Sequence, residues 1–151
     1  MQKIKNLYHL FQAILANLWY GFPSRRLKVI GVTGTDGKTT TTHLIAHILK
    51  VVGKKVSFVS SVFASIGGKE SDIGFHVTTP SSFTLQKLLK RSADNHDGYF
   101  ILETTSHALD QNRVWGIKYE IGVITNITHE HLDYHGTYEK YVKAKLKLLL
   151  K

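Results

Sequence analysis

Cysteine is absent from the 151 residues, which excludes disulfides, thiolate nucleophiles and cysteine-based zinc sites. A reducing cytoplasm fits such a chain, and a cytoplasmic location is the expectation. No apolar run reaches the ~20 residues that a membrane-spanning helix needs. Repeats and low-complexity segments are also missing. Acidic side chains are scarce, 11 against 20 lysines and arginines, and the resulting charge of +9 favours anionic partners. Nucleotides, phosphorylated sugars, nucleic acid and membrane surfaces all qualify. Nucleic acid is not expected, because no basic stripe interleaved with aromatics is present. What remains is the composition of an ordinary globular domain, with 42% apolar and 21% charged residues.

The first twenty residues place Ile4, Leu7, Tyr8, Phe11, Ile14, Leu15, Leu18 and Trp19 at three- and four-residue steps, the pattern of an amphipathic helix. His9, Gln12 and Asn17 interrupt the run and no small-residue cleavage site follows, so a signal peptide is not expected. A helix packed on its own domain is the expectation; contact with a membrane surface is the alternative. Gly21-Phe22-Pro23-Ser24 breaks this helix. Strands are expected at 27–32, 56–60 and 62–66, and as doubly buried runs at 98–103 and 120–125. Helices are expected from Thr39 to about Val52 with Gly53 as its cap, from Ser81 or Ser82 through Leu89, and from Thr137 to the end. Alternating strands and helices imply an α/β fold with a mostly parallel sheet flanked by helices.

Between the first strand and the helix after it lies Gly31-Val-Thr-Gly34-Thr35-Asp36-Gly37-Lys38-Thr39-Thr40. Glycines let backbone N–H groups turn towards phosphate oxygens, and the helix N-terminus adds a favourable dipole. Lys38 can reach terminal phosphates, and the Thr39 hydroxyl can hold Mg²⁺. The strict P-loop pattern needs glycine where Val32 stands. Glu103 closes a central strand, the end at which open α/β sheets bind ligands; a helix-cap or ion-pair role is its plainer reading. The His129-Glu130-His131-Leu-Asp133-Tyr-His135 cluster matches no strong zinc spacing, and a solvated loop accounts for His129 and His135. On the last helix Lys140, Lys143, Lys147 and Lys151 share one side. Lys145 falls opposite them among Tyr138, Tyr141, Leu148 and Leu149, where a lysine must snorkel, find a partner or lose its charge.

GVTGTDGKTTT resembles the nucleotide loop of the Mur ligases, whose loop has this shorter form. Further matching segments follow in that family's order: Thr78-Thr79-Pro80, Glu103-Thr-Thr-Ser106-His107-Ala-Leu109 with Arg113-Val114, Thr125-Asn126, His131-Leu-Asp133-Tyr-His135-Gly136, and Tyr141-Val-Lys-Ala144-Lys145. The likeness runs from Leu27 to the C-terminus and is greatest to the MurE-type tripeptide synthetases. It implies a division into an N-terminal amphipathic helix and linker (1–26) and a C-terminally incomplete, P-loop-type central ATP-binding domain (27–151). It also implies ATP and Mg²⁺ as cofactors. Gly34 to Thr40 and Asn126 would bind ATP; Thr39 would serve a first metal ion and His131 a second, with Glu103 as a Mg²⁺ ligand. Thr78, Thr79, Ser106, Gln111 and Arg113 would meet a UDP-MurNAc-peptide, and Lys145 would be carbamylated. Lys38, Glu103, His131 and Lys145 are then the expected catalytic set.

The reaction so implied is phosphorylation of the peptide's C-terminal carboxylate by ATP, followed by attack of an amino acid's amine on the acyl phosphate. Amino-acid choice, in this resemblance, lies in a C-terminal domain that must be supplied in cis or in trans, and no turnover is expected from these residues alone. Two other readings stay open: a non-catalytic MgATP-binding module, or a related ligase of the folylpolyglutamate or cyanophycin synthetase type. HLDYHG and the Thr-Thr-Pro segment argue against the latter.

Overall fold

The computed structural model describes residues 2–72 and 78–150; Lys151, counted above on the lysine face, lies outside them. In chain order the elements are α1 (Gln2–Tyr20), a 3-10 turn (Pro23–Arg26), β1 (Lys28–Thr33), α2 (Lys38–Val51), β2 (Val56–Val59), β3 (Ala64–Ile66), β4 (Lys69–Ser71), α3 (Ser82–Asp94), β5 (Tyr99–Glu103), α4 (Ser106–Asp110), β6 (Tyr119–Ile124), α5 (Leu132–His135) and α6 (Tyr138–Leu146). They build one sheet in the order β4-β3-β2-β5-β1-β6. β2, β5, β1 and β6 are parallel, as the alternation of strands and helices predicts.

The period of two along the strands sorts side chains to opposite faces. Ile30, Val32, Val56, Phe58 and Ile101 point to one face, where Ala46 of α2 completes their cluster. Val29, Val59, Phe100 and Leu102 point to the other, under Leu85, Leu88 and Leu89 of α3. Ser81 caps α3 by accepting from the Thr84 N–H at 3.3 Å. The chain leaves β1 for β2 across β5, while β6 lies on the other side of β1. A crevice therefore opens beyond the carboxyl end of β1.

Several expectations need correction. The strand expected over 62–66 starts at Ala64, with Val62 exposed, and it pairs antiparallel with β2. A turn at Gly67-Gly68 then folds β4 back on it, a hairpin that the helix-strand alternation did not indicate. β6 is not buried on both faces. As the edge strand it leaves Glu120 and Ile121 exposed. The last helix stops at Leu146, and 147–150 form tight turns in which Leu148 and Leu149 N–H groups reach the carbonyls three residues back. Those turns drop Leu148 into the core over Gly31, where a Cβ would stand 2.5 Å from Leu148 Cδ1.

The largest departure concerns α1. The helix does pack on its own domain, against α3, yet it does so with its small and polar side: Ala13, Ala16 and Asn17 are fully buried. Asn17 Nδ2 donates to the Trp115 carbonyl at 2.8 Å. Ile4, Leu7, Tyr8, Phe11, Leu15, Leu18 and Trp19 are exposed. Periodicity identified the stripe correctly but could not show which way it faced.

Candidate functional site

The loop between β1 and α2 folds around its own backbone at the carboxyl end of the sheet. Gly34 passes so close to β6 that a Cβ there would stand 1.8 Å from Thr125 Oγ1; only glycine fits. Asn126 Oδ1 accepts from the Thr35 N–H at 3.1 Å and the Asp36 N–H at 2.9 Å, while Thr125 Oγ1 donates to the Asp36 carbonyl at 2.6 Å. The loop is thus shaped by the chain following β6. Lys38, in the first turn of α2, curls back and donates to the Gly34 and Thr35 carbonyls at 3.1 and 2.6 Å. Thr40 is exposed beside it.

Thr39 and Glu103 are brought together. The Thr39 hydroxyl lies 3.1 and 3.0 Å from the two carboxylate oxygens of Glu103, which is 1% exposed. Ser61, just beyond β2, donates its N–H and its hydroxyl to the same carboxylate, each at 2.8 Å. No lysine, arginine or histidine among the described residues forms an ion pair with Glu103. A buried carboxylate held only by neutral donors, with a hydroxyl beside it, suits a hard oxygen-seeking cation such as Mg²⁺. Sequence reasoning missed Ser61. Its signal was a polar residue at the carboxyl end of a parallel strand.

Lys145 is 1% exposed, and its ammonium nitrogen donates to the Gly34 carbonyl at 2.5 Å. That oxygen also receives Lys38, so two cations converge on one acceptor. Burial first, and then the Lys38 charge, bring the Lys145 pKa down to about 8. The Tyr141 ring lies under the same nitrogen at 4.5 Å, and its hydroxyl meets Thr35 Oγ1 at 2.9 Å.

A cleft of about 350 Å³ opens beside these groups, lined by Thr78, Thr79, Thr105, His107, Gln111, Arg113 and His131. Four of the five residues expected to meet the peptide therefore share one wall with His131. Arg113 donates to the Thr79 carbonyl at 2.9 Å, and its buried Nε has no protein partner. Such an unsatisfied donor is available to an anionic ligand. Ser106 lies elsewhere: it is buried beneath the wall with its hydroxyl 3.1 Å from His135 Nε2. His135 is correspondingly buried, which corrects the solvated-loop reading for it, whereas His129 is exposed and stacks on Tyr138. His131 adopts φ 54°, with Nε2 3.5 Å from Glu130. His107, which sequence reasoning left without a role, packs edge-on to His131 at 4.9 Å; burial and the neighbouring His131, His135 and Arg113 hold its pKa below the ordinary histidine range. Lys140, Lys143 and Lys147 line a separate hollow of about 390 Å³, where Lys147 pairs with Asp110 at 3.0 Å.

Comparison with known proteins shows the family. The Mur ligase middle domain matches residues 32–151. The UDP-N-acetylmuramoyl-L-alanyl-D-glutamate--2,6-diaminopimelate ligase of Geobacillus thermodenitrificans is 47% identical over 133 residues, 88% of this chain and 27% of that protein. Its namesake from Clostridium botulinum is 43% identical over 136 residues, 90% of this chain and 28% of that protein. A solved structure of a ligase with the same name superposes with a TM-score of 0.70 at 36% identity, covering 81% of this chain and 24% of the other. The chain thus spans a little over a quarter of the length of the relatives it matches.

Proposed function

Because this chain belongs to the Mur ligase family, matching its middle domain, we propose that it supplies the ATP-binding and acyl-activating part of an amide-bond ligase of peptidoglycan precursor synthesis. The observation that carries the reading is the meeting of the Thr39 hydroxyl, in the first turn of α2 directly after Lys38, with the buried Glu103 carboxylate. The names of the relatives point to UDP-N-acetylmuramoyl-L-alanyl-D-glutamate as acceptor and 2,6-diaminopimelate as the amino acid added. We place the reaction in the cytoplasm. We also assign residues 1–26 to an N-terminal helix and linker and 27–151 to the central ATP-binding domain, completed by a further ligase domain in cis or in trans.

In this reading Lys38 leaves its two carbonyls for the terminal phosphates of ATP, and the loop N–H groups from Gly34 to Thr40, together with Asn126, shape the phosphate cradle. Thr39 would serve a first Mg²⁺ and His131 a second, with Glu103 as a Mg²⁺ ligand; when bound, the metal offsets negative charge on the phosphates. Arg113, with Thr78, Thr79 and Gln111, orients the acceptor so that its terminal carboxylate oxygen faces the γ-phosphorus. Formation of that O–P bond releases ADP; the amine then attacks the acyl carbon and inorganic phosphate departs. Ser106 acts indirectly here, through His135 beneath the cleft wall. Lys145, desolvated and pressed by Lys38, is assigned as a carbamylation site, since a neutral amine is the form that captures CO₂. Carbamylation turns a cation into an anion beside the loop and removes the repulsion with Lys38.

Calorimetric titration with MgATP tests the site. Lys38→Ala should abolish measurable binding, and unchanged affinity in that variant would refute the assignment. Titration with UDP-N-acetylmuramoyl-L-alanyl-D-glutamate separates the ligase from a bare nucleotide-binding module. A ligase part binds it and loses affinity at least ten-fold in Arg113→Ala, by the ~1.4 kcal/mol per decade rule applied to a charge-assisted hydrogen bond.

A further inference from the structure

α1 shows an amphipathic helix mounted with its apolar side outward. Ile4, Leu7, Tyr8, Phe11, Leu15, Leu18 and Trp19 are between 41% and 80% exposed. At ~100° per residue they form an arc of roughly 120°, continuous along the helix. With side chains of these sizes the exposed apolar area is on the order of 700 Å², above the few hundred usual on a monomer surface. The mounting is firm. Asn17 bonds to the Trp115 carbonyl, Asn6 Nδ2 donates to the Asp110 carbonyl at 3.1 Å, and Gln2 Nε2 donates to the Tyr134 hydroxyl at 2.6 Å. The stripe is a fixed ridge, held at three points along its length.

We propose that this ridge seats the protein on a lipid surface carrying anionic headgroups, with α1 lying in the plane of the interface. Charge and border residues favour that occupant. The helix contains Lys3 and Lys5 and no acidic residue, and at helical spacing the two lysines flank the arc on opposite sides, placed to snorkel towards headgroups. Tyr8 and Trp19 form one border of the stripe, where amphipathic rings meet headgroups, while Ile4, Phe11 and Leu15 occupy its middle. The net charge of +9 adds long-range attraction to the same surface. A second copy of the chain fits less well, because a two-helix seam uses a narrower stripe than this one. No described helix is long and apolar enough to cross a membrane, so the contact is interfacial. The inference does not depend on the ligase reading.

Flotation of the purified protein with vesicles of phosphatidylglycerol and phosphatidylcholine tests it, alongside sedimentation velocity without vesicles. The protein should float with the mixed vesicles, float several-fold less with phosphatidylcholine alone, and shift its tryptophan emission to the blue, a shift lost in Trp19→Phe. Leu7→Glu combined with Phe11→Glu changes only exposed side chains and should reduce the bound fraction about ten-fold or more, with the far-ultraviolet circular dichroism unchanged. Absence of flotation overturns the proposal, as does equal binding to neutral vesicles or by the double variant. A dimer in vesicle-free buffer that the double variant converts to monomer, without flotation of either, would assign the ridge to a second copy instead.

Discussion

Lys145 shows how much a single side chain can be made to carry. Its nitrogen is sealed from water and shares the Gly34 carbonyl with Lys38. Its folded pKa, about 8, lies below the ordinary 10.5, so between those values the folded chain holds fewer protons than the unfolded chain. Stability contributed by this group therefore rises with pH from about 8 to 10.5, and the cost of burying the charge is felt in full below that window. Lys145→Met removes the ionisation. The wild-type-minus-variant difference in unfolding free energy should climb across the window. At pH 7 the variant should match the wild type or exceed it by ~1–2 kcal/mol, as buried ions replaced by apolar groups do. Denaturant titrations at pH 7 and 9.5 check both statements; a variant much weaker at pH 7 would mean that the ammonium is a net stabiliser. The burial itself was legible from helical spacing, because Lys145 falls opposite Lys140, Lys143 and Lys147. The shared carbonyl was not, since it joins residues 111 apart in sequence.

At the level of elements, the attachment of α1 rests on a close approach rather than on apolar burial. Gly116 has φ 80°, and a Cβ there would stand 2.7 Å from Asn17 Nδ2, an atom already bonded to two carbonyls. Gly116→Ala combines backbone strain with that overlap and should cost ~1–3 kcal/mol. Hydrogen exchange should show the loss concentrated in α1, with the amides of β1 and β5 still protected; uniform loss over the sheet would contradict this account. The strands with dense Val, Ile and Phe, β1 and β5, were readable because both faces of a central parallel strand are apolar. β4 was not, since Lys69-Glu70-Ser71 carries no apolar pattern and pairs only because the Gly67-Gly68 turn directs it back along β3. Ser61 escaped notice for a related reason: its bond to Glu103 exists only once β2 and β5 lie side by side. The orientation of α1 was hidden too, because periodicity reports a stripe and is silent about its neighbour.

For the whole molecule, loop, carboxylate and cleft all sit on one end of the sheet, and a ligand there bridges segments from β1, β2, β5 and β6. A ligand that binds only the folded state stabilises it by RT ln(1 + [L]/Kd). MgATP at a hundred times its Kd should therefore add ~2.7 kcal/mol and raise Tm by ~5–10 °C for a chain of this size, with the gain removed by EDTA. Scanning calorimetry decides it; a gain that survives EDTA would remove the cation from the site. Lys38 gives this arrangement one more property. Its ammonium bonds the carbonyls of Gly34 and Thr35, an internal counter-dipole within the cradle. The incoming phosphates then meet a mould already set, and capture reduces to an exchange of partners at one flexible side chain rather than the ordering of a loop.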